Sequence, residues 1–275
     1  MPNTRRPAIG VFDSGVGGLT VLRALLDRIP DADYLYFGDT ARLPYGSKSA
    51  ATVAHYAVGA IRYLQDHGAE LLVIACNSAT ALAFSEIRAA SQVEAIGVVE
   101  PGAHAAATAS RSRSVVVIGT EATVASRAYR RALEARNVAV KEKACPLFVP
   151  LVEEGWTDHP VTEQVARIYL DEAFAGDAQD ADVLVLGCTH YPLIKPLLRR
   201  LVPDHVTIVD SADSTAHAVA ERLHIAPLHS PAEPERRSKP RLKFFATDSA
   251  EKFKKMGSRF LGHPVENVVH VDLKE

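Results

Sequence analysis

Short, almost uninterrupted apolar runs recur along the chain, each separated from the next by an alanine- and leucine-rich stretch of helical length. The runs are Ala8–Phe12, Tyr34–Phe37, Leu71–Ala75, Ala95–Val99, Val115–Gly119, Val183–Gly187 and Val206–Val209. Between them the pattern predicts helices over Gly18–Arg28, Lys48–His67, Thr80–Ala90, Val124–Ala135, Thr162–Ala175, Ile194–Leu201 and Thr215–Leu223. A strand without alternation has both faces buried, and parallel neighbours need a crossover helix between them. The pattern therefore predicts a doubly wound α/β fold with parallel sheets covered on both sides. With 47% of the 275 residues hydrophobic, the chain has ample material for such a core.

A weak internal repeat divides the chain into two similar units. Leu71-Leu72-Val73-Ile74-Ala75-Cys76-Asn77-Ser78 reads against Val183-Leu184-Val185-Leu186-Gly187-Cys188-Thr189-His190. Each is an apolar strand ending in cysteine, followed by small polar residues. Upstream of each, at a similar separation, another strand ends in small polar residues, Asp13-Ser14-Gly15 and Gly119-Thr120. The expectation is two like lobes facing a cleft. Residues 1–98 and 209–275 would form the first, carrying Cys76, and residues 99–208 the second, carrying Cys188. Pro227 to Lys243 breaks the pattern with four prolines and a cluster of charges, and predicts an exposed loop. The pair Phe244-Phe245 restarts regular structure.

Several function classes fall away. A net charge of -2 gives no field for nucleic acid or an anionic membrane. The basic spots Arg111-Ser112-Arg113 and Arg236-Arg237 read as solvated loops. No stretch approaches the eighteen or so apolar residues of a spanning helix. Behind Arg5 and Arg6, the apolar run Ala8–Phe12 is too short for a signal-peptide core. A cytoplasmic setting follows, where thiols stay reduced. The three cysteines form no Cys-x-x-Cys pair, which excludes a disulfide framework and gives no zinc-ligand spacing.

In open α/β sheets, ligands bind beyond the carboxyl ends of the strands, where Cys76 and Cys188 both stand. A helix N-terminus there offers free N–H donors for a carboxylate and a partial positive charge that stabilises a thiolate. Either cysteine alone reads most simply as a buried structural residue. Two at matching strand ends, each followed by hydroxyl or amide residues, argue for chemistry. Asp13-Ser14-Gly15-Val16-Gly17-Gly18 follows the first strand but departs from a dinucleotide fingerprint, because Thr20 occupies the third glycine position. Asp13 fits a helix cap or a catalytic role equally well. His190, two residues beyond Cys188, is placed to act as acid or base or to tune that thiol. Pro44-Tyr45-Gly46 is a turn by composition, Glu153-Glu154 reads as a solvated loop pair, and Cys145 before Pro146 as structural.

Val11-Phe12-Asp13-Ser14-Gly15-Val16-Gly17-Gly18, Pro44-Tyr45-Gly46, Ala75-Cys76-Asn77-Ser78-Ala79-Thr80 and Gly187-Cys188-Thr189-His190-Tyr191-Pro192 resemble the signature blocks of glutamate racemases. Gly119-Thr120-Glu121-Ala122-Thr123 and Pro150-Leu151-Val152-Glu153-Glu154-Gly155 resemble two more, in the same order. One departure is Ser78, where that family more often has threonine. The resemblance implies that Cys76 takes the α-proton from D-glutamate and Cys188 takes it from L-glutamate. Asp13 and His190 would assist the neighbouring thiols from within reach of substrate, with Glu153 near the second. Ser14, Tyr45, Gly46, Asn77, Ser78, Thr120, Thr123 and Thr189 would hold the carboxylates and ammonium. It further implies no pyridoxal phosphate or metal, a homodimer, and D-glutamate supply to peptidoglycan synthesis.

Three other readings remain: an aspartate racemase or related two-cysteine isomerase, a noncatalytic amino-acid binder, and a redox switch. A binder has no need of two thiols. A disulfide needs Cα atoms within roughly 7 Å, closer than thiols flanking an amino acid would stand.

Overall fold

The computed structural model describes residues 6–225 and 239–273. Of the expected loop Pro227–Lys243, residues 227–238 lie outside that set, as does Arg236-Arg237, while Leu242 and Lys243 already belong to a strand.

The first part of the chain lays down β1 (Ala8–Asp13), β2 (Asp33–Gly38), β3 (Leu71–Ile74) and β4 (Ala95–Gly97). These are connected through α1 (Leu19–Arg28), α2 (Ala50–Asp66) and α3 (Asn77–Ala90). After α4 (Val99–Ala109), the chain builds a second sheet from β5 (Ser114–Gly119), β6 (Ala139–Ala144), β7 (Val183–Gly187) and β8 (Thr207–Asp210). Its connections are α5 (Glu121–Ser126), α6 (Ala128–Glu134), α7 (Phe148–Glu153), α8 (Pro160–Ala173) and α9 (Lys195–Leu201). The chain then returns through α10 (Ser211–Arg222), β9 (Leu242–Ala246), α11 (Ala250–Leu261) and β10 (Val268–His270) to extend the first sheet.

All observed pairings are parallel. The sheet orders are β10-β9-β2-β1-β3-β4 and β6-β5-β7-β8. Strip the two late strands from the first and the orders match: β2-β1-β3-β4 against β6-β5-β7-β8. The repeat glimpsed around the cysteines is thus a repeat of topology. The central strands explain why they were visible in the sequence: β3 and β7 are buried at every position. The expected lobe boundary at residue 209 falls inside β8, the last strand of the second sheet.

Several elements depart from the expectation. The strand expected through Val99 stops at Gly97, because Val98 adopts helical dihedrals as the cap of α4. The helix expected over Val124–Ala135 is two helices, broken at Arg127 with φ 55°, a left-handed residue that reverses the helix path. Glu153 is not in a loop but ends α7, a helix that accommodates Pro150 in its first turn, where a missing N–H removes no helical bond. Cys188 does not open an α-helix directly. Thr189 and His190 lead into a single 3-10 turn at Tyr191–Ile194, with Pro192 at its start, before α9 begins.

Candidate active site

In each sheet the chain winds outward in opposite directions from a central pair of strands, β1 and β3 in one, β5 and β7 in the other. A crevice opens at the carboxyl ends of such a pair. Asp13 ends β1 and Cys76 follows β3; Thr120 follows β5 and Cys188 follows β7. The two crevices face one another across a single cavity of about 370 Å³, within the range of small-metabolite sites. Ser14, Tyr45, Gly46, Cys76, Asn77, Ser78, Thr120, Glu153, Cys188, Thr189 and His190 all line it. Asp13 and Thr123 stand one layer behind: Asp13 against Gly15 and Thr123 against Thr120.

Cys76 is the N-cap of α3, its Sγ accepting from the Ala79 amide at 3.4 Å and lying 3.5 Å from Ser14 Oγ, to which the thiol donates. The helix terminus was expected to lower this thiol's pKa. Burial instead prevails, with the nearby Asp13 adding to it, and pushes Cys76 up to about 12 against the hydrogen bonds from Ser14 and Ala79. At 5% exposure the sulfur has lost the water that would solvate a thiolate. Burial also raises the Asp13 carboxyl, although the His190 charge and the Gly15 and Gly18 amides pull it down. Its Oδ2 accepts from the Gly15 amide at 2.8 Å, and its buried Oδ1 has no partner among the described residues.

The second thiol has different company. Cys188 Sγ lies 4.0 Å from His190 Nδ1, and His190 Nε2 lies 3.1 Å from Glu153 Oε1. Burial alone would lower the imidazole, but its hydrogen bonds to Cys188 and Glu153 and their charges hold it up at about 10. Glu153 is correspondingly held below its ordinary value: desolvation works against this, and the His190 hydrogen bond and charge, with Lys252, overcome it. A cation thus stands beside Cys188, and among the described residues lining the cavity Cys76 has no counterpart.

Around the cavity several contacts draw the lobes together. Ser78 Oγ meets Thr120 Oγ1 at 3.0 Å, and Thr120, the N-cap of α5, meets Thr123 Oγ1 at 2.9 Å. Thr20 Oγ1 donates to the Thr189 carbonyl at 2.9 Å. Gly17 backs directly onto the second cysteine segment: a Cβ there would stand 2.3 Å from Thr189 Oγ1 and 2.6 Å from the His190 ring. Only hydrogen on that Cα lets the lobes close this far.

Two expected ligands take part differently from a free donor. The Tyr45 hydroxyl donates to Asp39 Oδ2 at 2.6 Å and its ring is buried, so what it can offer the cavity is backbone. Asp39, fully buried, also accepts from Thr247 Oγ1 at 2.8 Å and Arg42 at 3.0 Å, tying the turn at Tyr45–Ser47 to the residue that follows β9. Asn77 is likewise engaged by neighbours, through Ser211 and Tyr129. Cys145 is buried and does not line the cavity; burial pushes its thiol up to about 12.

Sequence reasoning missed part of the wall: Leu43, Ser47, Glu121, Pro146 and Val149 line the cavity as well. Ser47 immediately follows a matched block and Glu121 lies within one, which was the available signal. Leu43, Pro146 and Val149 are ordinary apolar residues, and nothing in their local sequence marks them. Among the described residues lining the cavity none is lysine or arginine, so carboxylates would be met by hydroxyls and backbone amides.

A profile of the family described as Asp/Glu/Hydantoin racemase matches residues 18–219. A glutamate racemase of Koribacter versatilis is 61% identical over 286 residues, covering 98% of both chains. The crystal structure of glutamate racemase isoform RacE1 from Bacillus anthracis superposes with a TM-score of 0.87 at 33% identity, covering 97% of this chain and 98% of that one. A Francisella tularensis glutamate racemase solved in complex with D-glutamate gives 0.85 at 32% identity, covering 98% and 99%. With two cysteines on facing lobes of one cavity and relatives matched over nearly their whole length, the chain belongs to the Asp/Glu/Hydantoin racemase family.

Proposed function

We propose that the protein is a glutamate racemase that interconverts L- and D-glutamate by proton transfer between two thiols. The observation that carries this reading is the placement of Cys76 and Cys188 on opposite lobes of one small cavity, each at the central crevice of its own sheet.

Inverting a stereocentre by proton transfer requires removal from one face and delivery to the other, which two groups that exchange acid and base roles can do. With D-glutamate bound, the Cys76 thiolate takes the α-proton and becomes a thiol. The electron pair of the broken C–H bond delocalises into the α-carboxylate. The Cys188 thiol then gives its proton to the opposite face, leaving L-glutamate and a Cys188 thiolate. The reverse direction exchanges the roles.

The resting Cys76, buried and high in pKa, enters this cycle as a thiol. The substrate ammonium brings a positive charge into the dry cavity and favours the thiolate when it is needed. Asp13, with its raised pKa and unpartnered Oδ1 behind Cys76, is suited to relay that proton. On the other side His190 and Glu153 supply a fixed charge pair to Cys188. Ser14, Ser78, Thr120 and Thr189 hydroxyls, with the amides at Gly46 and the start of α3, would hold the two carboxylates and stabilise the charge that develops. Exclusion of water by the closed lobes strengthens each of these interactions.

This reading carries with it supply of D-glutamate to peptidoglycan, a cytoplasmic setting and a homodimer, which the family resemblance supports. Among the described residues no helix is long and apolar enough to cross a membrane. The test is a racemisation assay over a panel of L- and D-amino acids, on protein dialysed against chelator with no cofactor added. Rapid interconversion of glutamate is expected. Activity restored only by pyridoxal phosphate or a metal, or equal turnover of aspartate, would overturn it, the latter in favour of an aspartate racemase.

A further inference from the structure

Tyr129 lies on α6 in the second lobe and is fully buried. Its hydroxyl donates to Asn77 Oδ1 at 2.8 Å. Asn77 opens α3 in the first lobe, one residue after Cys76. The same ring lies against Gly187, the residue before Cys188: a Cβ on Gly187 would stand 3.2 Å from Tyr129 Cε2. On another side a Cβ on Gly102 would stand 3.1 Å from the hydroxyl oxygen. One rigid side chain thus touches the residue that follows the first thiol and the residue that precedes the second. It does so in a slot that two glycines keep open.

Asn77 completes the link. Its Nδ2 donates to Ser211 Oγ at 3.2 Å, at the start of α10. Its carboxamide oxygen and nitrogen each therefore have a protein partner, and the side chain is only 2% exposed. The amide fastens the first turn of α3, and with it Cys76, to two elements outside the first sheet.

We propose that Tyr129 is a positioning residue that fixes Cys76 relative to Cys188, acting through the carboxamide of Asn77. The proposal rests on the two-thiol reading above. A core position that needed only bulk would be filled as well by phenylalanine. A hydroxyl buried in such a slot without a partner is unfavourable, and Tyr129 spends its one donor on the other lobe. Proton transfer is steeply sensitive to placement, with an error of about 1 Å reducing rate roughly 10²-fold. A strut between the thiols therefore acts on turnover more than on substrate affinity. Burial holds the phenol well above its ordinary pKa, so it remains a donor through the neutral range.

The test is Tyr129→Phe, which keeps the ring on Gly187 and removes the bond to Asn77. Racemisation kcat should fall at least about 10-fold in both directions with KM changed by less than about 3-fold. In heavy water, α-deuterium exchange of D-glutamate, which needs Cys76, should fall in parallel. Exchange of L-glutamate, which needs only Cys188, should stay within about 2-fold of wild type. Ser211→Ala frees Asn77 from its other side and should show the same one-sided loss, which covers the case in which Tyr129→Phe folds poorly. Tyr34→Phe is the control, since that buried hydroxyl donates to the Leu25 and Ile29 carbonyls within the first lobe. It should lower thermal stability and leave the exchange ratio unchanged.

An equal loss of both exchange reactions in Tyr129→Phe and Ser211→Ala, tracking stability as in Tyr34→Phe, would overturn the proposal. If wild-type protein exchanges neither enantiomer, the two-thiol reading fails. The strut is then judged without substrate, by iodoacetamide alkylation of each thiol resolved by mass spectrometry. Tyr129→Phe should raise the Cys76 rate several-fold relative to Cys188, and an unchanged ratio would overturn the strut as well.

Discussion

Cys76 and Cys188 are equally buried, at 5% exposure each, yet their neighbours differ: a carboxyl behind one, an imidazole–carboxylate pair beside the other. Each is required in both directions of the proposed cycle, so Cys76→Ala and Cys188→Ala should each reduce racemisation by at least about 10²-fold from either enantiomer. Cys145→Ala should keep most of the activity. A polarimetric assay on the three variants checks this, and near wild-type rates in either of the first two would remove the two-base mechanism. The asymmetry also gives a pH signature. His190 is held at about 10, above its ordinary 6.5. The stabilisation from its pairing is therefore complete below about pH 6.5 and is lost as pH rises through 10. Urea midpoints should fall over that range in wild type and fall less in His190→Asn.

At the scale of elements, the approach of the β1–α1 turn to the Cys188 segment is the tightest structural demand. Gly17→Ala places a methyl group 2.6 Å from a histidine ring that Glu153 holds from its other side. Overpacking of this kind destabilises by about 1–3 kcal/mol. The larger expected effect is on kcat/KM, down at least about 10-fold, because relief comes by parting the lobes. Measuring urea midpoint and kinetics on the same preparation separates the two. The elements that carry the site were legible because β1, β3, β5 and β7 are central and almost wholly buried, which leaves near-continuous apolar runs. The edge strands β6 and β10 gave no such run: β6 is Ala-Val-Lys-Glu-Lys-Ala, half-buried, and β10 is mostly exposed. Cys76, Cys188 and their polar neighbours could be read because they sit beside those central strands. Asp39 and Tyr129 could not, since their partners Thr247 and Asn77 lie far away along the chain and only the folded sheets bring them near.

For the molecule as a whole, the repeated sheet order places two half-sites face to face, and what lies between them is shaped by both lobes. Such a cavity should be exacting about substrate length. Aspartate, one methylene shorter, would leave distal-carboxylate donors unpaired in a dry site. Glutamate should therefore be preferred on the order of 10²-fold or more in kcat/KM. Competition between the two acids in one assay measures it, and comparable constants would move the assignment to aspartate. That no lysine or arginine lines the cavity among the described residues has a separate consequence for how substrate arrives. With a net charge of -2 overall, and the His190 cation at the cavity wall offset by Glu121 and Glu153, no long-range field gathers an anionic amino acid toward the mouth. Encounter is then governed by diffusion and lobe opening, and the short-range donors act only after entry. The second-order rate constant for capture should change by less than roughly twofold between low and high ionic strength, unlike that of an enzyme that steers its ligand.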